Sequence, residues 1–304
     1  MVRLGLASFV GTTRRHDAPH VLRHSTLCCS AGRIASTRRT SLFTLSFLGA
    51  SHLVRKCCPG GESAFAAATY DKQNLEELVK LFNEAIDISK GEEFAPADES
   101  WTKIIDFAPD TSAAWSNRGT FRLQRGKWSE GLGDLEKAIE LEGGVDNADG
   151  YLTNNYANAL GATGQWDEAL RVYKQSAELG SARGDSDLQE IAEANYALGL
   201  MQTSRDQEAL EEVRSLLRKD PNFLDMRAAE AAILWALRDE SGAETAWSAL
   251  QTADEGGLYA KQLAIARVQS RWPPRVTAAL SAFITVQNKG NATDYDGKVK
   301  TYQF

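Results

Sequence analysis

Apolar residues recur on a helical period between about residues 75 and 255, and the helical segments themselves recur. The phrase Gly-x-Trp-x-Glu-small-Leu stands at residues 126–132 and again at 164–170, 38 residues later. Taking its small residue as an anchor, related positions are Ala97, Gly131, Ala169, Ala209 and Ala243, spaced 34, 38, 40 and 34 apart. Four residues beyond each anchor stand Trp101, Leu135, Tyr173, Val213 and Trp247, and three beyond those Ile104, Ala138, Ser176, Leu216 and Leu250. An i, i+4, i+7 set of this kind is one face of a helix. Another small residue precedes each anchor by twelve positions: Ala85, Gly119, Ala157, Ala197 and Ala231. Each unit is therefore expected to be two helices of about 12 to 14 residues, crossing at the small residues, with larger side chains filling the gaps. Pro109 and Pro221 end the second helix of units one and four.

The two long spacings call for insertions. Residues 143–150 and 180–187 are Gly, Asp, Ser and Asn rich and read as loops between hairpins. After the fifth unit, residues 258–269 read as a helix with Leu258, Leu263, Ile265 and Val268 on it, broken by Arg271-Trp272-Pro273-Pro274. A last amphipathic helix is expected from Pro274 to Gln287, carrying Val276, Ala279, Leu280, Phe283 and Ile284. The organisation is thus a solenoid over 75–255, a helical cap over 256–288 and a flexible tail over 289–304, preceded by a leader over 1–66.

Unit two carries Trp115, Gly119, Trp128 and Leu135 at the spacing of the W-x2-L-G-x2-Y…A-x3-F pattern. It resembles the tetratricopeptide repeat. The resemblance is specific in units two and three, looser elsewhere, and implies an all-α, right-handed solenoid of about five hairpins plus a C-terminal capping helix pair. Departures are visible: Arg118 and Arg122 stand where Leu and Tyr are usual, Gly131 replaces Ala, and unit four has Ser204 in place of the turn glycine. Glu136 and Glu140 of the paired helix are the expected ion-pair partners of the two arginines. The stretch 223–235, followed by Arg271-Trp272-Pro273-Pro274, looks like the C-terminal part of chloroplast repeat proteins of plants and algae.

In such repeats the first helix of each hairpin lines a concave groove. Two residues before each small residue stand Asn83, Asn117, Asn155, Asn195 and Ala229, and Asn154 and Asn158 flank the third. Asn offers both a donor and an acceptor, so the row is a candidate for gripping the backbone of an extended peptide; the alternative is that it satisfies local turns. Neighbouring positions hold Phe82, Ser116, Ala194 and Ala228 on one side and Ile86, Thr120, Leu198 and Ala232 on the other, without Lys or Arg. The basic clamp that holds chaperone C-terminal carboxylates in this repeat class is therefore missing, and an internal apolar segment or a partner helix is the expected ligand. Trp101, Trp115, Trp128, Trp166 and Trp247 fall on packing positions and are read as core, whereas Trp235 and Trp272 fall off the pattern.

Charge divides the chain in two. Residues 1–66 hold nine Lys/Arg and two acids, a net of +7; the remaining 25 basic and 39 acidic residues give −14. An acidic body repels nucleic acid and anionic lipid. All four Cys and all four His lie within residues 16–58. Without the leader there is no thiol nucleophile, His-based triad or Cys/His zinc site. No cofactor or catalytic residue is assigned, and an enzyme using Lys or carboxylates is the remaining catalytic alternative. Asp146/Asp149, Asp185/Asp187 and Asp294/Asp296 lack the ladder of a calcium loop and read as solvation, so no metal site is assigned.

The leader reads as two signals in series. Residues 1–40 are rich in Arg, Ser, Thr and Ala, as a transit peptide is. Arg38-Arg39 then precede an apolar stretch over 42–54 and Ala64-Phe65-Ala66, a twin-arginine export pattern ending in a small-x-small cleavage site. The stretch is too short for a retained span. Such a leader resembles that of proteins sent to the thylakoid lumen; a stromal or mitochondrial transit peptide is the alternative. Together these readings give a non-enzymatic scaffold, binding a peptide segment or helix in its groove and assisting assembly or maintenance of a thylakoid complex. A permanent structural subunit of a larger complex is the alternative.

Overall fold

A computed structural model describes residues 72–89, 94–260, 264–269 and 271–293, the side chains of 72, 75 and 288–293 excepted. The leader over 1–66 and the end of the tail from 294 lie outside the described residues. Ten helices form five hairpins: α1 (Lys72–Ser89) with α2 (Phe94–Phe107), α3 (Ser112–Gln124) with α4 (Trp128–Leu141), α5 (Gly150–Ala162) with α6 (Trp166–Arg183), α7 (Ser186–Gln202) with α8 (Asp206–Lys219), and α9 (Leu224–Ala236) with α10 (Glu240–Ala253). A short α11 (Ala264–Val268) and a long α12 (Pro274–Thr293) follow. Each helix packs on the next, and the successive first helices α3, α5, α7 and α9 also touch one another, whereas successive second helices are held further apart. The first helices therefore form the inner face of the solenoid.

Small residues set the hairpin geometry. Ala85, Ala97, Ala157, Ala169, Ala197, Ala209, Ala231 and Ala243 are completely buried. The tightest crossing joins Gly119 to Gly131, where a methyl group on either would lie 2.8–2.9 Å from the other's carbonyl oxygen. With backbones that close, side chains four and seven residues along fill the space beyond the crossing, against their own first helix and the neighbouring hairpin. Trp101, Leu135, Tyr173, Val213 and Trp247 are at most 4% exposed there. Trp115, Trp128 and Trp166 are half-buried against the same core, which runs unbroken from Leu123 to Ile284.

Hairpin 1 has a smaller core of its own around Trp101, Ile104 and Ile105. Its junction with hairpin 2 is bridged by charge. Arg118 makes a two-pronged contact with Asp134 at 2.8 and 2.9 Å and donates to the Thr102 hydroxyl at 3.0 Å. Arg122 spans Asp98 and Asp134 at 2.6 and 2.9 Å. The partners are thus Asp98 and Asp134, not Glu136 and Glu140, which lie on the exposed side of α4. Asp134 follows Gly131 by three residues, nearly one turn, and so faces α3.

Three elements differ from the sequence reading. Residues 180–187 are not a loop: α6 continues to Arg183 and α7 starts at Ser186, so the longer period is absorbed by about one extra turn on each helix. Gly180 permits this, since a methyl group there would lie 2.7 Å from the Gln189 amide nitrogen, and the Asp185 carboxylate caps α7 by accepting from the Leu188 amide at 3.0 Å. Between α10 and α12 the described residues outside 264–268 form turns and irregular backbone. The Asp254 carboxylate captures the amides of Leu258 and Tyr259 at 2.9 and 2.6 Å, which shortens the expected helix to Ala264–Val268. The last helix in turn runs past Gln287 to Thr293.

The C-terminal segment is tied down by one buried carboxylate. Asp225, 2% exposed at the start of α9, accepts from the Tyr259 hydroxyl, from Arg271 at 2.9 and 3.2 Å and from Arg267 at 3.4 Å. Burial alone would raise the Asp225 pKa; the two guanidinium groups and the phenol more than offset it and hold the carboxyl below its ordinary range. Burial and the adjoining carboxylate push the Tyr259 phenol well up.

All four hairpin turns after the first close in the same way. The second residue after the first helix adopts a left-handed backbone: Gly126, Gly164, Ser204 and Arg238 at φ 76°, 86°, 65° and 67°. In each, the next amide bonds back to the helix, as Arg205 does to the Leu200 carbonyl and Asp239 to the Leu234 carbonyl, both at 2.9 Å. Only glycine is unstrained in this conformation. Ser204→Gly and Arg238→Gly are each expected to stabilise the chain by about 0.5–1 kcal/mol, read as a higher urea midpoint at unchanged slope. A depressed carboxylate contributes stability that is present above its unfolded pKa, about 3.9, and lost as pH falls through the folded value. Asp225→Asn is therefore expected to cost about 3 kcal/mol near neutrality, with the gap to wild type narrowing as urea titrations are repeated from pH 4 downward.

Candidate functional site: the inner face

The inner face is built from the odd-numbered helices, and it divides into two zones. Over hairpins 1 to 4 it carries the asparagines. Asn83 on α1 is exposed. Asn117, Asn154, Asn158 and Asn195 are 1–4% exposed, and Asn155 is half-buried. The structure joins most of them across hairpins. The Asn155 amide donates to the Thr120 hydroxyl at 3.2 Å, linking α5 to α3. The Asn195 amide donates to the Asn154 carbonyl at 3.1 Å, linking α7 to α5. Asn158 points into hairpin 3 and accepts from the Tyr173 hydroxyl at 2.8 Å; burial pushes the Tyr173 phenol well above its usual pKa, so it remains a donor.

Two amide atoms in this zone have hydrogen-bonding capacity left over. Asn117 Nδ2 and Asn195 Oδ1 are buried without a protein partner. One is a donor and the other an acceptor, at the same repeat position two hairpins apart. A buried polar atom left unpaired costs about 1–3 kcal/mol, so the ladder is electrostatically incomplete by itself. At its N-terminal end the surface turns apolar and open: Phe82 and Ile86 are half-exposed and Val79 is 52% exposed.

Over hairpins 4 and 5 the inner face is covered by the chain itself. α12 lies on α9 and reaches α7, rather than stacking mainly on α10 as each earlier first helix stacks on the second helix before it. Its backbone begins with the Arg275 amide donating to Gln202 Oε1 at 2.9 Å. The Arg275 guanidinium binds Asp206, at 2.6 Å for one prong, and the Met201 carbonyl. Phe283 meets Trp235 and Trp247 edge to face, centroids 5.8 and 5.7 Å apart. Val276, Leu280, Phe283 and Ile284 are at most 5% exposed, and Ala228, Ala229 and Ala232 opposite are fully buried.

The sequence reading placed the asparagines on this face but gave Asp206, Gln202, Asp225, Arg271 and Arg275 no role. Asp225 and Trp235 do lie within or beside the 223–235 stretch singled out by its likeness to plastid proteins, and Arg271 begins the second such stretch. The two stretches meet in space.

The acidic loops serve the backbone. Asp149 caps α5 by accepting from the Tyr151 amide at 2.9 Å, and Asp146 accepts from Gln175. Among the described residues, no three His, Cys, Asp or Glu side chains converge, and no helix is long and apolar enough to cross a membrane.

No family model matches the chain. Over 125 residues it is 25% identical to a 58 kDa phosphoprotein of Plasmodium berghei, spanning 41% of this chain and 29% of that protein. Over 114 residues it is 27% identical to tetratricopeptide repeat protein 36 of Bos taurus, spanning 37% of this chain and 60% of that protein; the Homo sapiens protein of the same name is 27% identical over 112 residues, spanning 37% and 59%. The aligned segment thus covers about three-tenths of the first relative and about three-fifths of the others. Among solved structures, YrrB, a TPR protein with an unusual peptide-binding site, aligns at 18% identity and a TM-score of 0.47 over 63% of this chain and 95% of that one. The similarity to repeat protein 36 supports the tetratricopeptide character of the hairpins.

Proposed function

We propose that this chain is a non-enzymatic protein-interaction scaffold that binds an unfolded segment or a helix of a client protein on its inner face. The observation that carries the reading is the inner face itself: the first helices touch one another and enclose a concave side that is open and apolar at hairpin 1, where Val79 is 52% exposed. Asn83, exposed, and Asn155, half-buried, are the amides of the row within reach of a client backbone. The open apolar rim of Val79, Phe82 and Ile86 adds a place for side chains, and the absence of basic residues among the groove positions favours an internal segment over a terminal carboxylate. Hairpin solenoids present such a face because each unit contacts only its neighbours and leaves one side free.

The client we propose is a subunit of a thylakoid complex, met in the lumen during assembly or maintenance. Support comes from the basic leader with Arg38-Arg39 and Ala64-Phe65-Ala66, and from the likeness of the C-terminal stretches to plastid proteins. Mass spectrometry of the mature N-terminus is expected to find a start at Ala67; a start before Arg38 would remove the lumenal assignment.

Proximity labelling in intact plastids tests the scaffold itself. Asn83→Arg together with Ile86→Glu places charge on the open rim without touching a buried bond. The double variant is expected to lose labelled clients by about tenfold or more, a change of roughly 1.4 kcal/mol, at an unchanged urea midpoint. Glu136→Lys, on the exposed side of α4, is expected to label as wild type does. Equal labelling by all three proteins would leave the inner face without a ligand.

A further inference from the structure

The inner face over hairpins 4 and 5 holds an amphipathic helix, and that helix belongs to the same chain. Four observations describe a receptor and a ligand rather than a simple end seal. The bed is made of small side chains, Ala228, Ala229 and Ala232, all fully buried, so a helix backbone can approach closely. The apolar side of α12, Val276, Leu280, Phe283 and Ile284, is set at i, i+4, i+7 and i+8 and is the side that is covered. Its start is fixed by charge, Arg275 against Asp206, and by the Gln202 side chain on the Arg275 amide. Finally, α12 is joined to hairpin 5 by residues 254–273, whose only described helix is the five-residue α11. Tyr259, Ala264 and Val268 hold that segment on the solenoid, so it keeps α12 at high local concentration without requiring α12 itself to stay bound.

We propose that α12 is an exchangeable intramolecular ligand: hairpins 4 and 5 form a binding site for an amphipathic helix with arginine in its first turn and Val/Leu/Phe/Ile-type residues along one side, and a partner helix of that pattern displaces α12. The proposal rests on the reading of the inner face as a protein-binding surface and names the chemistry of one ligand for it. Exchange is favoured by what holds α12 down. Arg275 and Asp206 are 33% and 15% exposed, so their pairing is partly screened and replaceable by an equivalent arginine. The buried Trp272 indole N–H at the start of the helix has no protein partner, which lowers the stability of the closed arrangement. The Asp225 cluster would stay with the tether, because Tyr259, Arg267 and Arg271 all precede α12.

The probe is a labelled synthetic peptide of residues 271–287, followed by fluorescence anisotropy against the full chain. Bound α12 reduces the population open to the peptide, so weakening α12 must raise the apparent affinity in proportion. Phe283→Ala in the chain is expected to tighten peptide binding about tenfold relative to wild type, the result of a shift of roughly 1.4 kcal/mol in docking. Arg275→Ala in the chain, a milder change that leaves the core intact, is expected to act in the same direction and serves if Phe283→Ala unfolds the protein. A peptide carrying Arg275→Ala is expected to bind more weakly than the unaltered peptide, whereas Asp206→Ala in the chain weakens α12 and peptide alike and is expected to leave the apparent affinity near that of wild type. Equal affinity for wild type and for the Phe283→Ala and Arg275→Ala chains, or no binding to either of these variants when its circular dichroism is unchanged, would overturn the proposal and make α12 a fixed cap. The rim variant Asn83→Arg with Ile86→Glu is expected to bind the peptide normally. A lost client in plastids with an intact peptide site therefore bears on hairpin 1, and the reverse result on hairpins 4 and 5.

Discussion

The close crossing of two helices at a pair of small residues is the constraint on which the rest of this molecule depends. At Gly119 and Gly131 the two backbones are near contact, and neither position has room for a methyl group without a shift. At the other crossings the paired positions are alanines, all completely buried. Once the helices of a hairpin are that close, no large side chain fits between them at the crossing. Tryptophan, tyrosine and leucine are therefore displaced along the hairpin from the crossing, where they meet their own first helix and the neighbouring hairpin together. A single unit cannot bury its own apolar surface, and a continuous core from Leu123 to Ile284 is the consequence. The inner face follows from the same geometry, because first helices that touch while second helices spread apart must enclose a concave side.

Nearest-neighbour stacking leaves two ends to be managed, and both are managed with charge. Hairpin 1 shares little apolar surface with the main core, and Arg118 and Arg122 reach across to Asp98, Thr102 and Asp134 instead. At the other end Asp225 gathers Tyr259, Arg267 and Arg271. Buried ion pairs return little net stability when their desolvation is counted, yet breaking one by removing a partner is costly. Their effect here is to fix which segment sits where. Leucines at these two sites would bury as much surface but would not select the position of the tether.

The hairpins were legible in the sequence because their signal is redundant. Five copies of small, large and large at fixed spacing identify the same face five times, and no local propensity has to be trusted. Asn117 and Asn195 could be placed on the inner face by the same arithmetic. Their hydrogen bonds could not, since the Asn195–Asn154 and Asn155–Thr120 bonds depend on the offset between neighbouring hairpins, which the repeat length does not encode. The 180–187 segment was misread for a related reason. Gly, Ser and Asp mark loops by composition, but Gly180 is used for close packing and Asp185 for capping, and either use is compatible with the same letters. Asp134 was missed in favour of Glu136 and Glu140 because only the crossing at Gly131 reveals which side of α4 faces α3.

The final helix is the point at which a repeat pattern has nothing to say. α12 has the amphipathic period of any capping helix, and the choice between stacking on α10 and folding onto α9 is made by groups that stand outside the repeat. Arg271 pulls the chain toward Asp225 at the start of α9, Arg275 ties it to Asp206 and Gln202 one hairpin earlier, and Phe283 closes against Trp235. Trp235 is off the packing pattern because its partner comes from the tail of the chain. Those anchors divide the inner face by chemistry. The N-terminal zone is an amide ladder with an open apolar rim, suited to an extended backbone; the C-terminal zone is an alanine bed with an acidic edge, suited to a helix and already holding one. A client that offered both features along one segment would have to remove α12 to engage the whole face, so the polar contacts of Arg275 and the burial of Val276, Leu280, Phe283 and Ile284 together set how much of that face is available.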